Sequence, residues 1–168
     1  YNESENIKKL IIDINKKNNN VDILIIDDNS PDQTFKIVAK IKKKYKNIKL
    51  VKRNKKLGLD SAHKYAFNYA RKKKYKKLIT LDADLPHDPF KIKKFIKILD
   101  KNEFVIGSRY MRGGKCIMKK KRFLISKYGN LLIKLIFNTN CSEFTTSYRG
   151  FNLERLKKFN INSVKATG

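Results

Sequence analysis

Two pairs of neighbouring carboxylates are the clearest chemical feature of this sequence. Asp82 and Asp84 flank one alanine directly after an apolar run, and Asp27 and Asp28 directly follow another. Adjacent carboxylates repel one another unless donors or a cation compensate their charge. Carboxylate oxygens suit Mg²⁺ or Mn²⁺, which complete their shell with water and substrate phosphates. The Asp-Ala-Asp spacing therefore predicts a handle for a metal-bound pyrophosphate.

Other polar residues near these pairs have simpler interpretations. Asp32 lies near the start of one predicted helix and Asp88 directly precedes another, and both are expected to act as helix caps. His63 lies within a predicted helix and is expected to be structural. His87 is expected to be exposed to solvent, with contact to a substrate as the alternative. The sequence contains no GxxxxGK[ST] and no GxGxxG, so neither a P-loop nor a dinucleotide fingerprint would hold phosphates.

Apolar periodicity divides most of the chain into alternating helices and strands. Helices are predicted at 6–17, 30–45, 58–73 and 89–100, and strands at 21–26, 48–53, 77–81 and 103–108. This alternation is typical of an α/β fold, with a mostly parallel sheet and helices on both faces. Such sheets bind ligands at the carboxyl ends of their strands, where the four aspartates fall.

The alternation ends after Arg109. A glycine-containing loop, an amphipathic segment at 123–137 and a polar loop at 138–147 lead to the residues SYRGF and a short helix expected from about Leu153. No repeat or linker divides the chain. We expect one domain over residues 1–168, incomplete at its N- and C-termini because the first residue is Tyr and the last a bare Gly.

The chain is strongly basic, with 41 Lys and Arg against 15 Asp and Glu and a net charge of +26. Such a charge favours a nucleic acid, an anionic membrane or a phosphorylated substrate as partner, although an AT-rich genome would produce the same lysine bias. Cys116 and Cys141 form neither a disulfide framework nor a zinc motif, which favours a reducing compartment. No apolar run reaches the ~18 residues of a membrane-spanning helix.

Seven motifs resemble, in order and spacing, the GT-A family 2 glycosyltransferases, and most closely the dolichol-phosphate mannosyltransferases and other polyprenyl-phosphate glycosyltransferases. They are YNE (1–3), IIDDNSPDQT (25–34), LGLDSA (57–62), LDADLPHDP (81–89), GSRYMRGG (107–114), KRFLIS (121–126) and TTSYRGF (145–151). The resemblance covers nearly the whole chain and implies a GT-A, Rossmann-like domain. It also implies metal-dependent, inverting transfer of a hexose, with mannose from GDP-mannose favoured, to a dolichyl or other polyprenyl phosphate.

The resemblance assigns roles to individual residues. The nucleotide sugar would be bound by Tyr1, Glu3, Ile26, Asp27, Asp28, Asp82, Ala83, Asp84 and Arg109. Mg²⁺ or Mn²⁺ would be held by Asp84 with Asp82. The acceptor phosphate would be bound by Arg109, Arg122 and Ser126, and the catalytic group would comprise Asp84, Arg109, Arg122 and Arg149.

The sequence departs from the family pattern at several positions. Pro86 stands where some members carry a metal-ligating Gln, Glu143 stands where Asp is usual, and Ser147 replaces a Gly. The family's first strand, before YNE, and a basic residue beyond ATG are also absent from the sequence. These departures bear on metal preference and donor selectivity more than on the class of reaction.

The implied reaction suits the residue types. An acceptor phosphate is already ionised, so its attack needs little general-base help, and arginines would position two phosphate-bearing substrates for in-line displacement. The apolar segment 123–137, preceded by KKKR at 119–122, is typical of a helix on an anionic membrane surface. A core helix is the alternative. The expected location is the cytoplasmic face of a membrane, either the endoplasmic reticulum or the plasma membrane.

Three other functions remain open at this point. A family 2 enzyme could use a UDP-sugar donor or a glycan acceptor instead. A non-catalytic nucleotide-sugar-binding module would keep the cleft without turnover. A nucleic-acid-binding protein would explain the charge, but the clustered aspartates would repel a phosphate backbone, and no nucleic acid partner is expected.

Overall fold

A computed structural model describes residues 1–18, 20–84, 87–111, 114 and 120–164 of the chain. The helices are α1 (Ile7–Lys17), α2 (Thr34–Lys44), α3 (Gly58–Lys72), α4 (Ile92–Leu99) and α5 (Lys120–Ile136), with 3-10 turns at Pro89–Lys91 and Ile161–Ser163. The strands are β1 (Ile23–Asp27), β2 (Ile48–Lys52), β3 (Lys77–Thr80), β4 (Phe104–Ile106) and β5 (Arg149–Asn152). The α/β class is confirmed, and the elements predicted before Arg109 are found within a few residues of their expected positions. The sheet arrangement differs from the expected mostly parallel sheet, because the described strands form one parallel pair and one antiparallel set of three.

The spacing of apolar residues in α1 explains why this segment is a helix. Ile7, Leu10, Ile11 and Ile14 recur every three or four residues, and all four are buried in one cluster with residues of β1, α2, β2 and α4. Burying a side chain of this size contributes about 1.5–3 kcal/mol. The helix therefore anchors β1, whose C-terminal end carries the first pair of aspartates.

The described strands form two sheets. β1 pairs with β2 in parallel, and β5 lies between β3 and β4 and is antiparallel to both. Because they share this antiparallel neighbour, β3 and β4 run in the same direction. The last residue of β3, Thr80, and the last residue of β4, Ile106, both lie opposite Arg149. The segments that carry Asp82 and Arg109 therefore leave the sheet at the same edge.

The end of the chain corrects one expectation from the sequence. The residues from Leu153 form turns, so the helix expected there was wrong. Asn152 caps a single turn here: its side-chain oxygen accepts from the backbone N–H groups of Glu154 and Arg155 at 3.1 Å each, and its carbonyl accepts from that of Leu156 at 3.0 Å. The turn does not continue as a helix, because the Phe159 N–H donates to the Leu156 carbonyl only three residues back. The preceding residues form β5 instead, and Gly150 lets this strand approach α4, since a Cβ there would lie 3.0 Å from Leu99 Cδ1.

Candidate active site

The C-terminal ends of β1 and β3, and the residues that follow them, open onto a common cleft. The space continues between the two strands, where apolar side chains such as Ile7, Leu10 and Ile14 of α1 line it. Six of the nine residues predicted to bind the nucleotide sugar line the cleft: Tyr1, Glu3, Ile26, Asp82, Ala83 and Asp84. The structure thus brings together residues that are up to 83 positions apart in sequence.

Asp82 and Asp84 form the acidic part of the cleft. The Asp82 side chain is partly buried, and Asp84 is exposed. In the part of the chain that the structure describes, no three His, Cys, Asp or Glu residues form a closed metal cage. Mg²⁺ typically takes one or two protein carboxylates and fills its remaining positions with water and substrate phosphates. The two carboxylates of Asp82 and Asp84 therefore fit a cation whose remaining coordination positions are filled by water and a diphosphate. Pro86 lies outside the described residues.

Asp27 and Asp28 do not line the cleft, because both carboxylates are buried against internal donors. Asp27 accepts hydrogen bonds from the backbone N–H and the hydroxyl of Ser30, at 3.1 and 2.6 Å. Asp28 pairs with Arg53 Nε and accepts from the backbone N–H of Leu57 at 3.0 Å. These donors compensate the pair's charge without a cation. The contact of Asp27 and Asp28 with a nucleotide stays a prediction.

The environment of Asp28 keeps its carboxyl group ionised. Burial alone would raise its pKa, but the hydrogen bonds from Arg53 and Leu57 and the charge of Arg53 together hold the pKa of Asp28 below its ordinary value. Arg53 also donates to the Ser61 hydroxyl at 2.7 Å and to the Gly58 carbonyl at 3.2 Å. The ion pair therefore joins the end of β1 to the first residues of α3, one wall of the cleft.

Arg109 is held in a fixed orientation by the carboxylate of Glu143, a residue to which the sequence assigned no role. Arg109 Nε donates to Glu143 Oε2 and Arg109 Nη2 donates to Glu143 Oε1, both at 2.8 Å. Glu143 is fully buried, and the Thr145 hydroxyl donates to it at 2.6 Å. Burial acts to raise the pKa of Glu143, but Arg109 and Thr145 outweigh it and hold the pKa below its ordinary value. The side chain is therefore an anion and a rigid partner for Arg109.

Arg149, the first residue of β5, is directed by the same loop. It donates from Nε to the Thr146 carbonyl at 2.8 Å and from Nη2 to the Phe144 carbonyl at 3.0 Å. His63 lies in the cleft wall, and its pKa is lowered mainly by burial and also by the positive charge of Arg149. The catalytic role of Arg149 stays a prediction.

His87 corrects a second expectation, because it is not exposed. Its side chain retains 14% of its accessible surface and stacks on Tyr148, with ring centroids 5.1 Å apart. Burial lowers the pKa of His87, while the charges of Asp82 and Asp84 raise it and the charge of Arg109 lowers it. The imidazole therefore lies between the acidic and the basic parts of the site.

Arg122 and Ser126 are carried by α5 rather than by the sheet. The Ser126 hydroxyl accepts a hydrogen bond from the Tyr110 hydroxyl at 2.5 Å, and the ring of Tyr110 lies 5.8 Å from that of Phe123. Since Tyr110 directly follows Arg109, this contact joins the start of α5 to the basic part of the site. Arg122 is exposed in the first turn of the helix.

The remainder of α5 presents apolar side chains to solvent. Its exposed apolar residues are Leu124, Ile125, Tyr128, Leu131, Leu132, Leu135 and Ile136. The buried residue of the helix is Asn130, whose side-chain oxygen accepts from the backbone N–H of Phe144 at 2.7 Å. Most apolar side chains of α5 are therefore exposed, which contradicts the alternative that the segment is a core helix. Lys119, the first of the predicted KKKR residues, lies outside the described part.

The sequence matches the family model described as Glycosyl transferase family 2 over residues 1–159. This chain belongs to glycosyl transferase family 2. The resemblance seen in the seven motifs is thereby confirmed, and the α/β architecture agrees with the GT-A fold that it implied.

Three curated relatives narrow the similarity. The chain is 28% identical over 171 residues to Polyprenol monophosphomannose synthase of Mycolicibacterium smegmatis, and the alignment covers all of this chain and 64% of the relative. It is 26% identical over 169 residues to Undecaprenyl-phosphate mannosyltransferase of Micrococcus luteus, covering all of this chain and 70% of the relative. It is 38% identical over 118 residues to Dolichol-phosphate mannosyltransferase of Pyrococcus furiosus, covering 68% of this chain and 32% of the relative.

The alignments also define how much of these proteins the family 2 chain represents. It spans 64% of the length of the first relative, 70% of the second and 32% of the third. Among the described helices, none has both the length and the apolar composition needed to cross a bilayer.

Proposed function

We propose that this protein transfers a hexose, with mannose from GDP-mannose favoured, to the phosphate of a dolichyl or other polyprenyl lipid. The observation that carries the proposal is that two carboxylates, Asp82 and Asp84, and two anchored arginines, Arg109 and Arg149, lie around one edge of the β3–β5–β4 sheet. A reaction between a nucleotide sugar and a phosphate needs both charge types side by side. The names of the three relatives, each a mannose-transferring enzyme of a polyprenyl phosphate or polyprenol, support the same reaction.

On the donor side, the cleft would hold the nucleotide between α3 and the ends of β1 and β3. Tyr1, Glu3 and Ile26 would contact the nucleoside, and Asp82 with Ala83 would approach the ribose and phosphates. Asp84, together with Asp82, would ligate Mg²⁺ or Mn²⁺, which when bound neutralises charge on the departing diphosphate. The exposure of Asp84 suits a ligand that must meet substrate and solvent as well as metal.

On the acceptor side, the arginines would bind the phosphate that attacks the sugar. A phosphate monoester is ionised at neutral pH, so the reaction needs orientation and charge stabilisation more than proton removal. Glu143 holds the Arg109 guanidinium in place before any substrate binds, which removes part of the entropic cost of reaching the reactive geometry. Arg122 and Ser126 would complete the phosphate site from α5. Direct displacement inverts the configuration at the sugar carbon.

The lipid tail of the acceptor gives α5 a function. The helix has five basic residues and no acidic residue between positions 120 and 136, and its apolar side chains are exposed. Apolar contact plus attraction to anionic lipids is how a helix lies in a membrane interface. We place α5 on the cytoplasmic face of a membrane, where Arg122 and Ser126 would meet a lipid phosphate at the headgroup level.

Nucleotide binding tests the donor half of this proposal. We expect GDP, in the presence of Mn²⁺, to bind more tightly than UDP by at least about 10-fold in a calorimetric titration, and removal of Mn²⁺ to weaken GDP binding. Tighter binding of UDP would instead support a family 2 enzyme with a UDP-sugar donor. Binding of neither nucleotide would contradict the assignment of the cleft.

A further inference from the structure

His87 makes a hydrogen-bonded connection between the two halves of the site. The backbone N–H of Asp82 donates to His87 Nδ1 at 3.0 Å, and His87 Nε2 lies 3.3 Å from the Thr146 hydroxyl oxygen. Asp82 begins the Asp-Ala-Asp segment, and Thr146 belongs to the loop that carries Glu143 and directs Arg149. One side chain thus contacts the predicted metal segment and the loop that holds Arg109 and Arg149 in place.

The direction of these hydrogen bonds fixes the position of the imidazole proton. A backbone N–H can only donate, so Nδ1 must accept and carry no proton. A neutral imidazole then carries its proton on Nε2, which faces the Thr146 hydroxyl oxygen. That oxygen also accepts the backbone N–H of Tyr148 at 3.1 Å, so its two lone pairs have two donors. The connection therefore runs in one direction, from Asp82 through His87 to Thr146.

The ring is held in this orientation by its packing. His87 stacks on Tyr148, and Tyr148 stacks on Phe95 of α4 with ring centroids 4.3 Å apart. The Tyr148 hydroxyl donates to the Asp88 carbonyl at 2.9 Å, which fixes the residue next to His87. A side chain oriented by stacking on one face and by hydrogen bonds at both nitrogens has little freedom to change its rotamer.

We propose that His87, as its Nε2–H tautomer, is a positioning residue that sets the Asp82–Asp84 segment in register with the loop that contains Thr146 and directs Arg149. It touches neither substrate in this role. It fixes the distance between the residues that bind the diphosphate and those that bind the acceptor phosphate, so its loss affects both halves together. This inference rests on the proposed function for its kinetic consequence, but not for the tautomer.

Nuclear magnetic resonance of the ¹⁵N-labelled imidazoles tests the first part without any substrate. The sequence contains two histidines, and a His63→Gln variant assigns their signals. We expect His87 to show a protonated Nε2 and an unprotonated Nδ1 at pH 7.5. An Nδ1–H tautomer would overturn the proposal, because Asp82 could then not donate to that nitrogen.

Two variants separate positioning from packing. His87→Phe keeps a ring to stack on Tyr148 but has neither nitrogen, whereas His87→Asn keeps an acceptor near the position of Nδ1. Loss of a residue that orients a metal ligand typically costs 10–100-fold in metal affinity or activity. We expect His87→Phe to weaken Mn²⁺ binding in the presence of GDP, measured by electron paramagnetic resonance, by at least about 10-fold, with a thermal midpoint within a few degrees of wild type. His87→Asn, which keeps the contact with Asp82 but loses the one with Thr146, should recover part of the affinity.

Equal Mn²⁺ affinity in wild type and His87→Phe would overturn the proposal, as would equal losses in the two variants. If the wild-type protein forms no lipid-linked sugar but shows the expected tautomer and the expected difference in Mn²⁺ binding, the proposed function fails while the role of His87 stands. If transfer occurs, His87→Phe should lower kcat more than it raises KM for the donor.

Discussion

Glu143 accepts two parallel hydrogen bonds from the guanidinium of Arg109, each 2.8 Å long, from a position with no exposed surface. The two residues are 34 positions apart, one after β4 and the other before β5. Fork-to-fork pairing of this kind fixes the plane of the guanidinium as well as its position. The guanidinium of Arg109 is thus oriented before a substrate binds, and its contact with the acceptor phosphate stays a prediction.

Glu143→Gln is expected to impair both stability and transfer. The amide keeps the volume of the side chain but replaces one acceptor by a donor that faces Arg109, and an unmatched buried group costs about 1–3 kcal/mol. Transfer should fall by at least about 10-fold because Arg109 loses its fixed orientation. Chemical denaturation and turnover measure the two effects.

Glu154→Gln is the matched control for this change. Glu154 is exposed, and its carboxylate lies 3.8 Å from Lys76 Nζ, a kind of surface pair that contributes roughly 0–1 kcal/mol. The Glu154→Gln variant should therefore have a stability and a transfer rate close to those of wild type. Equal effects of the two Gln variants would contradict the role of Glu143.

Asp84→Asn is expected to remove the metal handle. An amide oxygen is a neutral and weaker ligand for Mg²⁺ or Mn²⁺, so we expect Mn²⁺ binding with GDP to weaken by at least about 10-fold and transfer to fall by about 100-fold. Asp60→Asn is the control, because this aspartate pairs with Lys64 at 2.8 Å on the surface of α3. Near-normal transfer by Asp84→Asn would remove the predicted metal site.

Asp32 predicts a specific acid dependence of stability. Partial burial acts to raise its pKa, but hydrogen bonds from Thr34 and Ser4 outweigh it and lower the pKa to about 2, from an ordinary value of 3.8. A carboxyl group whose pKa is lower in the folded state stabilises the fold above the unfolded pKa, and this contribution is lost as the pH falls toward the folded pKa.

The free energy of unfolding of wild type should therefore exceed that of Asp32→Asn at pH 5, and the difference should shrink between pH 4 and pH 2. Urea denaturation at a series of pH values measures it. A difference that stays constant down to pH 2 would contradict the hydrogen bonds seen around Asp32.

The apolar face of α5 predicts membrane binding that depends on single side chains. Ile125 and Leu132 are 75% and 58% exposed, and burying each in a lipid interface contributes about 1.5 kcal/mol or more. The double change Ile125→Ser with Leu132→Ser should weaken binding to vesicles containing phosphatidylserine by about 100-fold, measured by co-sedimentation. The exchange Ile125→Leu with Leu132→Ile should bind like wild type. Unchanged binding by the serine variant would place the membrane contact elsewhere.

The spacing of apolar residues predicted the elements whose formation depends on neighbouring residues in the sequence. The buried face of α1 follows directly from apolar residues three and four positions apart. β5 has no such signal, because Arg149–Asn152 is four residues long and contains a glycine. Its partners are strands about 45 and 70 residues earlier in the chain, so its existence depends on tertiary pairing.

The site residues also fall into those that the sequence predicts and those that depend on distant contacts. Asp82 and Asp84 were predicted from their position after a strand, and the cleft contains them. The roles of Glu143 and His87 were missed, since each depends on residues distant in sequence: Arg109 for Glu143, and Tyr148 and Thr146 for His87. The one available signal was an acidic residue in a polar loop otherwise rich in Ser and Thr, at a position where the family usually has Asp.

The most direct test of the central claim is the transfer reaction itself. The purified protein would be given dolichyl or undecaprenyl phosphate with Mn²⁺ or Mg²⁺, and separately GDP-mannose, UDP-glucose and UDP-N-acetylglucosamine, each with a radiolabelled sugar. We predict chloroform-extractable label from GDP-mannose, dependent on the lipid phosphate and the metal, and none with Asp84→Asn. GDP binding without lipid-linked sugar from any of the three donors would contradict transfer to a polyprenyl phosphate.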